Sequence, residues 1–127
     1  MADDVPKPAI LVVEDESILR MVAADMLDEA GYHVIEAGSG DEGLAALDGG
    51  MPIAGLFTDV QTPGNTDGFA LAKITHERFP GAAILVVSGA AKPGEGDLPP
   101  GAMFLGKPYS GRAVLRTLDE LLGRESR

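Results

Sequence analysis

The sequence of 127 residues contains no cysteine and no tryptophan, and it has only four phenylalanines and two tyrosines. Without cysteine the chain can form neither disulfides nor thiolate zinc sites, which fits a cytoplasmic location. No apolar run approaches the roughly 18 residues of a membrane span, so we expect no membrane association. The acidic N-terminus, MADDVPKP, has no apolar core and is therefore not a secretory signal.

Basic residues are also scarce: 10 Lys and Arg stand against 20 Asp and Glu, which gives a formal net charge of −10. Phosphate backbones are bound by clustered Lys and Arg, so this balance disfavours DNA or RNA as a direct partner. Hydrophobic residues make up 45% of the chain, which is typical of a globular protein. The length predicts one domain with a proper core.

Short apolar runs alternate with segments of helical periodicity along the chain. The predicted strands are 10–13, 32–36, 53–58, 82–87 and 102–105, and the predicted helices are 16–30, 39–47, 69–79 and one that Ser110 caps. Such alternation indicates a parallel sheet with helices on both faces. Right-handed crossovers then predict an open, doubly wound α/β fold with five strands.

Polar side chains follow four of the five predicted strands. They are Glu14 and Asp15 after the first strand, Asp59 after the third, Ser88 after the fourth and Lys107 after the fifth. Because ligands of such sheets bind beyond the carboxyl ends of the strands, we expect these groups to meet at one rim. Oxygen ligands without imidazole or thiolate indicate Mg²⁺ or Mn²⁺ rather than zinc. Lys107 could hold an anionic group beside that metal.

Six motifs in a fixed order carry a family resemblance: ILVVEDE, GYHVIEAGSGDEGLAAL, LFTDV, PGNTDG, LVVSGA and GKPY. Together they resemble the receiver domain of two-component response regulators. The resemblance implies a flavodoxin-like (βα)5 fold over residues 9–123, an N-terminal extension at 1–8 and a C-terminal tail at 124–127. It implies a signalling protein that is no enzyme beyond self-phosphorylation and slow self-dephosphorylation. The chain would be a free-standing receiver or the receiver piece of a larger protein.

The resemblance assigns the acidic residues to phosphorylation and metal binding. Asp59 matches the phosphoacceptor, which takes a phosphoryl group from a sensor histidine kinase or a phosphotransfer protein. Asp15 matches a direct Mg²⁺ ligand, and Glu14 matches the acid that reaches the metal largely through water. The main-chain carbonyl of Gln61 falls where the family supplies a further metal ligand.

The resemblance assigns the remaining residues to the response. Lys107 matches the lysine that contacts the phosphoryl group, and the bond to Pro108 is typically cis in the family. Ser88 matches the switch hydroxyl, and Phe104 matches the aromatic switch residue. A downstream protein, unnamed by the sequence, would read the change.

The first helix is the kinase-docking surface that the resemblance implies. Helical spacing predicts that Ser17, Arg20, Ala24 and Asp28 line its exposed face.

The chain departs from the family between Ser88 and Lys107. The segment contains Pro93, Pro99 and Pro100 together with several glycines. Proline lacks the helix donor and glycine is entropically costly to order. We therefore expect the family's fourth helix to be missing or reduced to a turn, and the usual symmetric dimer face to be absent.

Other functions remain open at this point. A Mg²⁺-dependent phosphatase of the haloacid dehalogenase type also uses an aspartate nucleophile, but it needs a second Asp where this chain has Gln61. The segment Gly101 to Lys107 has the spacing of a phosphate-binding loop, but Pro108 replaces the metal-binding Ser or Thr. A pseudo-receiver that binds partners without phosphorylation is a third possibility.

Purely structural explanations also exist for the same residues. Acids at positions 14 and 15 suit the start of a helix, Ser88 could be an ordinary turn serine, and Phe104 could be plain core. Lys107 could be a surface lysine that packs its stem on apolar residues.

Overall fold

The computed structural model describes residues 7–90 and 92–123. Its elements, in chain order, are β1 Ala9–Val13, α1 Ser17–Glu29, β2 His33–Ala37, α2 Gly40–Asp48, β3 Gly55–Asp59, α3 Gly68–Arg78, β4 Ala83–Ser88, β5 Met103–Gly106 and α4 Gly111–Leu121. All strand pairs are parallel, and the strands lie in the order β2-β1-β3-β4-β5. The predicted doubly wound fold is confirmed. Residues 1–6 and 124–127, which hold most of the predicted extension and the whole tail, lie outside the described residues.

The sheet separates two hydrophobic layers because successive strand side chains point to opposite faces. On one face, Leu11, Leu56 and Val86 pack with Leu47 of α2 and Leu71 of α3. On the other face, alternate strand residues pack with α1 and α4, and this layer includes Ile10, Val12, Phe57, Leu85, Leu27, Val114 and Leu118. The central strands β1, β3 and β4 are buried throughout. The layers hold the carboxyl ends of these strands at fixed positions.

No helix lies between β4 and β5 among residues 89–90 and 92–102. Gly96 and Gly101 adopt positive φ angles there, and Leu98 packs against the core on the α2 and α3 side. The predicted loss of this helix is confirmed for the described residues. In the same described parts of the chain, no helix has the length and apolar character that crossing a membrane requires.

The exposed face of α1 differs from the prediction. Ala24 is buried with 8% exposure, whereas Met21 and Val22 are about 60% exposed. The inward stripe of α1 is built on Ala24 and Leu27, which lie three residues apart and are both buried. Leu27 belongs to the hydrophobic layer on the α1 and α4 side of the sheet. The larger apolar residues before them therefore fall on the outer side, and the prediction of an exposed Ala24 was wrong.

Candidate functional site

The ends of β1 and β3 place two acids side by side. Val13 pairs with Thr58, so the residues that follow, Glu14 and Asp59, lie at adjacent positions on the rim. The chain leaves β1 toward β2 on one side and returns to β3 on the other, which makes this rim the crevice where ligands bind in such sheets. Both acids are largely buried, with 7% and 8% exposure. Two largely buried carboxylates at one edge are costly to keep ionised without a nearby cation.

Lys107 supplies a positive charge at that position. Its Nζ donates a hydrogen bond of 2.7 Å to Asp59 Oδ2 and lies 3.8 Å from Glu14 Oε1. Its backbone N–H donates to the Ser88 carbonyl at 2.9 Å, and its peptide bond to Pro108 is cis, as predicted. Burial opposes the charge of Lys107, but the hydrogen bond and charge of Asp59, with the charge of Glu14, outweigh it and raise the pKa of Lys107.

The acidic turn 14–16 carries more negative charge than Lys107 can balance. Burial raises the pKa of Glu14. The 3.2 Å hydrogen bond from the Glu16 N–H to the Glu14 carboxylate and the charge of Lys107 both oppose this rise without cancelling it. Asp15 is exposed beside it. Glu14, Asp15 and Asp59 beside the single ammonium of Lys107 leave an excess of negative charge. A divalent cation that prefers oxygen ligands would offset this charge, so the donor chemistry fits Mg²⁺. Among the described residues, however, no three carboxylate or imidazole side chains are gathered as a ready-made metal cluster.

The structure also brings Ser88 to the rim. Ser88 ends β4, pairs with Gly106 in β5 and is only 3% exposed. Phe104 lies earlier on β5, opposite Val86, and is half-buried against the hydrophobic layer on the α2 and α3 side. The predicted residues at the strand ends thus converge, while Phe104 sits below the rim within the sheet.

The loop after Asp59 is fastened to α2 by contacts that the sequence did not reveal. The Gln61 N–H points to Asp59 Oδ1 at 3.4 Å, and further along the Asn65 N–H donates to Asp41 Oδ2 at 3.2 Å. Hydrogen bonds from Thr66 and from Asn65 lower the pKa of Asp41. Asp41 lies 24 residues from Asn65, so only the tertiary fold could place them together.

Arg20 is a second residue whose contacts the sequence reasoning missed. It was predicted to lie on the exposed face of α1, but its side chain is 23% exposed and turns back to the rim. Its Nη1 donates to the Glu14 carbonyl at 2.8 Å. No spacing in the sequence reveals these contacts, because they depend on how the first turn of α1 lies against the ends of β1 and β2.

An apolar groove lies beside the rim between α1 and α4. It has a volume of about 540 Å³, and its lining includes Leu19, Val22, Met26, Tyr109 and the stem of Lys107. The ring of Tyr109 also packs edge-to-face on Phe57, with 6.0 Å between centroids. The groove thus shares Lys107 with the acidic site.

Comparisons with known proteins agree with this geometry. A family model described as the response regulator receiver domain matches residues 10–117. The chain is 30% identical over 116 residues to the response regulator receiver protein CpdR of Brucella abortus, covering 89% of this chain and 95% of CpdR. A response regulator receiver protein from Sinorhizobium medicae superposes with a TM-score of 0.88 at 28% identity, covering 92% and 95% of the two chains. The receiver domain of the hybrid histidine kinase CckA superposes with a TM-score of 0.76 at 33% identity. The match covers 90% of this chain and 98% of the CckA domain.

Proposed function

Because the chain belongs to the response regulator receiver family, we propose that Asp59 accepts a phosphoryl group from a sensor histidine kinase or a phosphotransfer protein. The observation that carries the proposal is the contact of Asp59 with Lys107, at 2.7 Å, beside the buried Glu14. The ammonium holds this carboxylate at the rim of the crevice, where ligands of such sheets bind, and this placement supports a role as nucleophile.

The proposed step is a transfer from nitrogen to oxygen. An oxygen of Asp59 forms a bond to phosphorus as the bond from phosphorus to the donor imidazole breaks, and the electron pair stays on the imidazole. The negative charge spreads over three phosphoryl oxygens, so positioning and neutralisation dominate the catalysis. Lys107 moves its ammonium from the Asp59 carboxylate to those oxygens. Water later hydrolyses the aspartyl phosphate and restores Asp59.

Mg²⁺, or Mn²⁺ in its place, is the proposed cofactor. Asp15, Asp59 and the carbonyl of Gln61 would hold it directly, with Glu14 acting through water. When bound, the ion would neutralise the phosphoryl oxygens. The support is the excess of acid over base at the rim, where Glu14 and Asp59 are buried with a single ammonium.

The proposed response runs through β4 and β5. Ser88 would donate its hydroxyl to a phosphoryl oxygen, and Phe104 would repack in the space that this movement leaves. The segment between the two strands contains no helix among its described residues. We propose that this segment becomes more or less ordered on phosphorylation. A downstream protein, rather than a second receiver paired on this face, would read that change.

The outer face of α1 is the proposed docking site of the phosphoryl donor. Ile18, Leu19, Met21 and Val22 are between 43% and 74% exposed, and Leu19 and Val22 line the groove that reaches Lys107. A histidine presented from a helical partner seated on this face would lie next to Asp59. Such a donor is cytoplasmic in two-component signalling, so we propose the same location for this chain.

Labelling with acetyl phosphate and Mg²⁺ distinguishes the proposal from its alternatives. A receiver forms one hydroxylamine-sensitive acyl phosphate per chain that decays slowly. A phosphatase would release phosphate continuously, and a pseudo-receiver would not be labelled at all. The amide of Gln61, where the phosphatase needs a second acid, supports the slow decay.

A further inference from the structure

Arg20 connects the first turn of α1 to the ends of two strands. Its Nη1 donates to the main-chain carbonyl of Glu14 at 2.8 Å, and its Nε donates to Glu36 Oε1, just inside the end of β2, at 3.3 Å. Its backbone N–H donates to the Glu16 carbonyl at 2.9 Å. One residue therefore binds the main chain at both ends of the acidic turn 14–16.

The acidic turn needs such a restraint. Its three consecutive acids repel one another, and α1 begins after Glu16 without a side-chain capping hydrogen bond. The Glu14 N–H is fixed by the Ala37 carbonyl at 3.1 Å, which continues the strand pairing, but the Glu14 carbonyl lies beyond the sheet. The Arg20 guanidinium donates a hydrogen bond to that carbonyl.

On the basis of the phosphoacceptor function proposed above, we infer that Arg20 is a positioning residue for the acidic turn. By holding the Glu14 carbonyl and Glu36 together, it keeps Glu14 and Asp15 at the rim beside Asp59. The planar guanidinium presents donors at fixed angles and can satisfy both acceptors at once, whereas the single ammonium of lysine cannot reproduce this fork.

Charge and position predict opposite effects on cation binding. Arg20 is a positive charge near a site that takes up a cation, so through its charge alone it would weaken binding. If charge were its whole role, Arg20→Gln would bind Mg²⁺ more tightly and Arg20→Lys would match the wild type. If position is its role, both variants bind Mg²⁺ more weakly.

Gly38 offers a perturbation that leaves the charge in place. A Cβ at Gly38 would lie 3.1 Å from Arg20 Nη1, tighter than an ordinary contact, and the Gly38 φ is not in the positive range. Gly38→Ala therefore requires Arg20 Nη1 to shift by a few tenths of an ångström, without backbone strain. We expect it to weaken Mg²⁺ binding in the same direction as Arg20→Lys, but less.

The test is calorimetric titration of the full chain with MgCl₂, without a phosphoryl donor, for wild type, Arg20→Gln, Arg20→Lys and Gly38→Ala. Arg78→Gln is the control, since Arg78 pairs with Asp48 on the surface between α3 and α2. We expect the Kd to rise by about tenfold in both Arg20 variants, as for residues that orient metal ligands. The control should match the wild type.

Tighter binding by Arg20→Gln, or unchanged binding by Arg20→Lys, would overturn the positioning role. If Arg20→Gln does not fold, Arg20→Lys and Gly38→Ala decide the question. A wild type that binds no Mg²⁺ would reject the proposed cofactor together with this inference. Normal Mg²⁺ binding by the wild type with unaffected Arg20 variants would reject the inference alone.

Discussion

Lys107 Nζ lies 2.7 Å from Asp59 Oδ2, although Lys107 and Asp59 are 48 positions apart in the sequence. The same ammonium lies 3.8 Å from Glu14 Oε1. One cation thus balances two buried carboxylates, and it is the same group that would meet the phosphoryl oxygens. The resting structure and the proposed chemistry thus both use the Lys107 ammonium.

Lys107→Met should destabilise the fold because Glu14 and Asp59 would remain buried without a cation. The Lys107 side chain is 30% exposed, so solvent screens part of the cost, and we expect a loss of about 1–2 kcal/mol. Urea unfolding measures this loss. Lys73→Met, at an exposed position on α3, is the control. Equal stability of the two variants would show that Lys107 does not balance the buried acids.

Asp15→Asn should abolish the stabilisation by Mg²⁺. A ligand that binds only the folded chain raises the free energy of unfolding by mass action, so MgCl₂ should raise the Tm of the wild type. Loss of the Asp15 carboxylate should leave little of this rise, whereas Asp28→Asn, at an exposed site late in α1, should keep it. Differential scanning fluorimetry at increasing MgCl₂ measures both. An undiminished rise in Asp15→Asn would place the ion elsewhere.

Much of the fold and of the rim followed from the sequence because both depend on local patterns. The ends of β1, β3, β4 and β5 were readable from where apolar runs stop, and parallel pairing then brings Asp59 to Glu14. The anchoring of the 62–66 loop by Asp41 was not readable, since it depends on how closely α2 approaches that loop. A Cβ on Gly40 would overlap the Thr66 carbonyl oxygen.

The face of α1 shows a second limit of sequence reasoning. Apolar residues at 18, 19, 21 and 22 are compatible with either side of a helix, and the predicted exposed face included Ala24. The small side chain of Ala24 is buried, whereas Met21 is 60% exposed. Periodicity identified the helix but did not fix its rotation.

Ile18→Ser and Val22→Ser should impair transfer from a histidine kinase without impairing the site. Both side chains are exposed, by 74% and 61%, so stability should change by less than about 0.5 kcal/mol. If the donor docks on α1, kcat/KM for transfer from a phosphorylated kinase should fall by about tenfold or more. Labelling by acetyl phosphate should be unchanged. Met51→Ser, exposed near the amino ends of the strands, is the control; equal transfer to all three variants would exclude docking on α1.

Asp41 should titrate below the ordinary range because Thr66 and the Asn65 N–H stabilise its carboxylate. Thr66→Val should raise the pKa of Asp41 toward the ordinary value of 3.8. Because the pKa of Asp41 is lower in the folded than in the unfolded chain, its ionised carboxylate stabilises the fold at higher pH. This stabilisation is lost as pH falls through the folded-state pKa. NMR titration of the Asp41 carboxyl in both proteins is the measurement. Identical pKa values would mean that Thr66 does not hold Asp41.

The site of phosphorylation is tested most directly by intact-mass measurement of wild type and Asp59→Asn after incubation with acetyl phosphate and MgCl₂. The wild type should gain one phosphoryl group that hydroxylamine removes, as expected of an acyl phosphate. Asp59→Asn, which keeps the shape of the side chain but loses the nucleophilic carboxylate, should gain none. Full labelling of Asp59→Asn, or a wild type that is never labelled, would contradict the assignment of Asp59 as the phosphoacceptor.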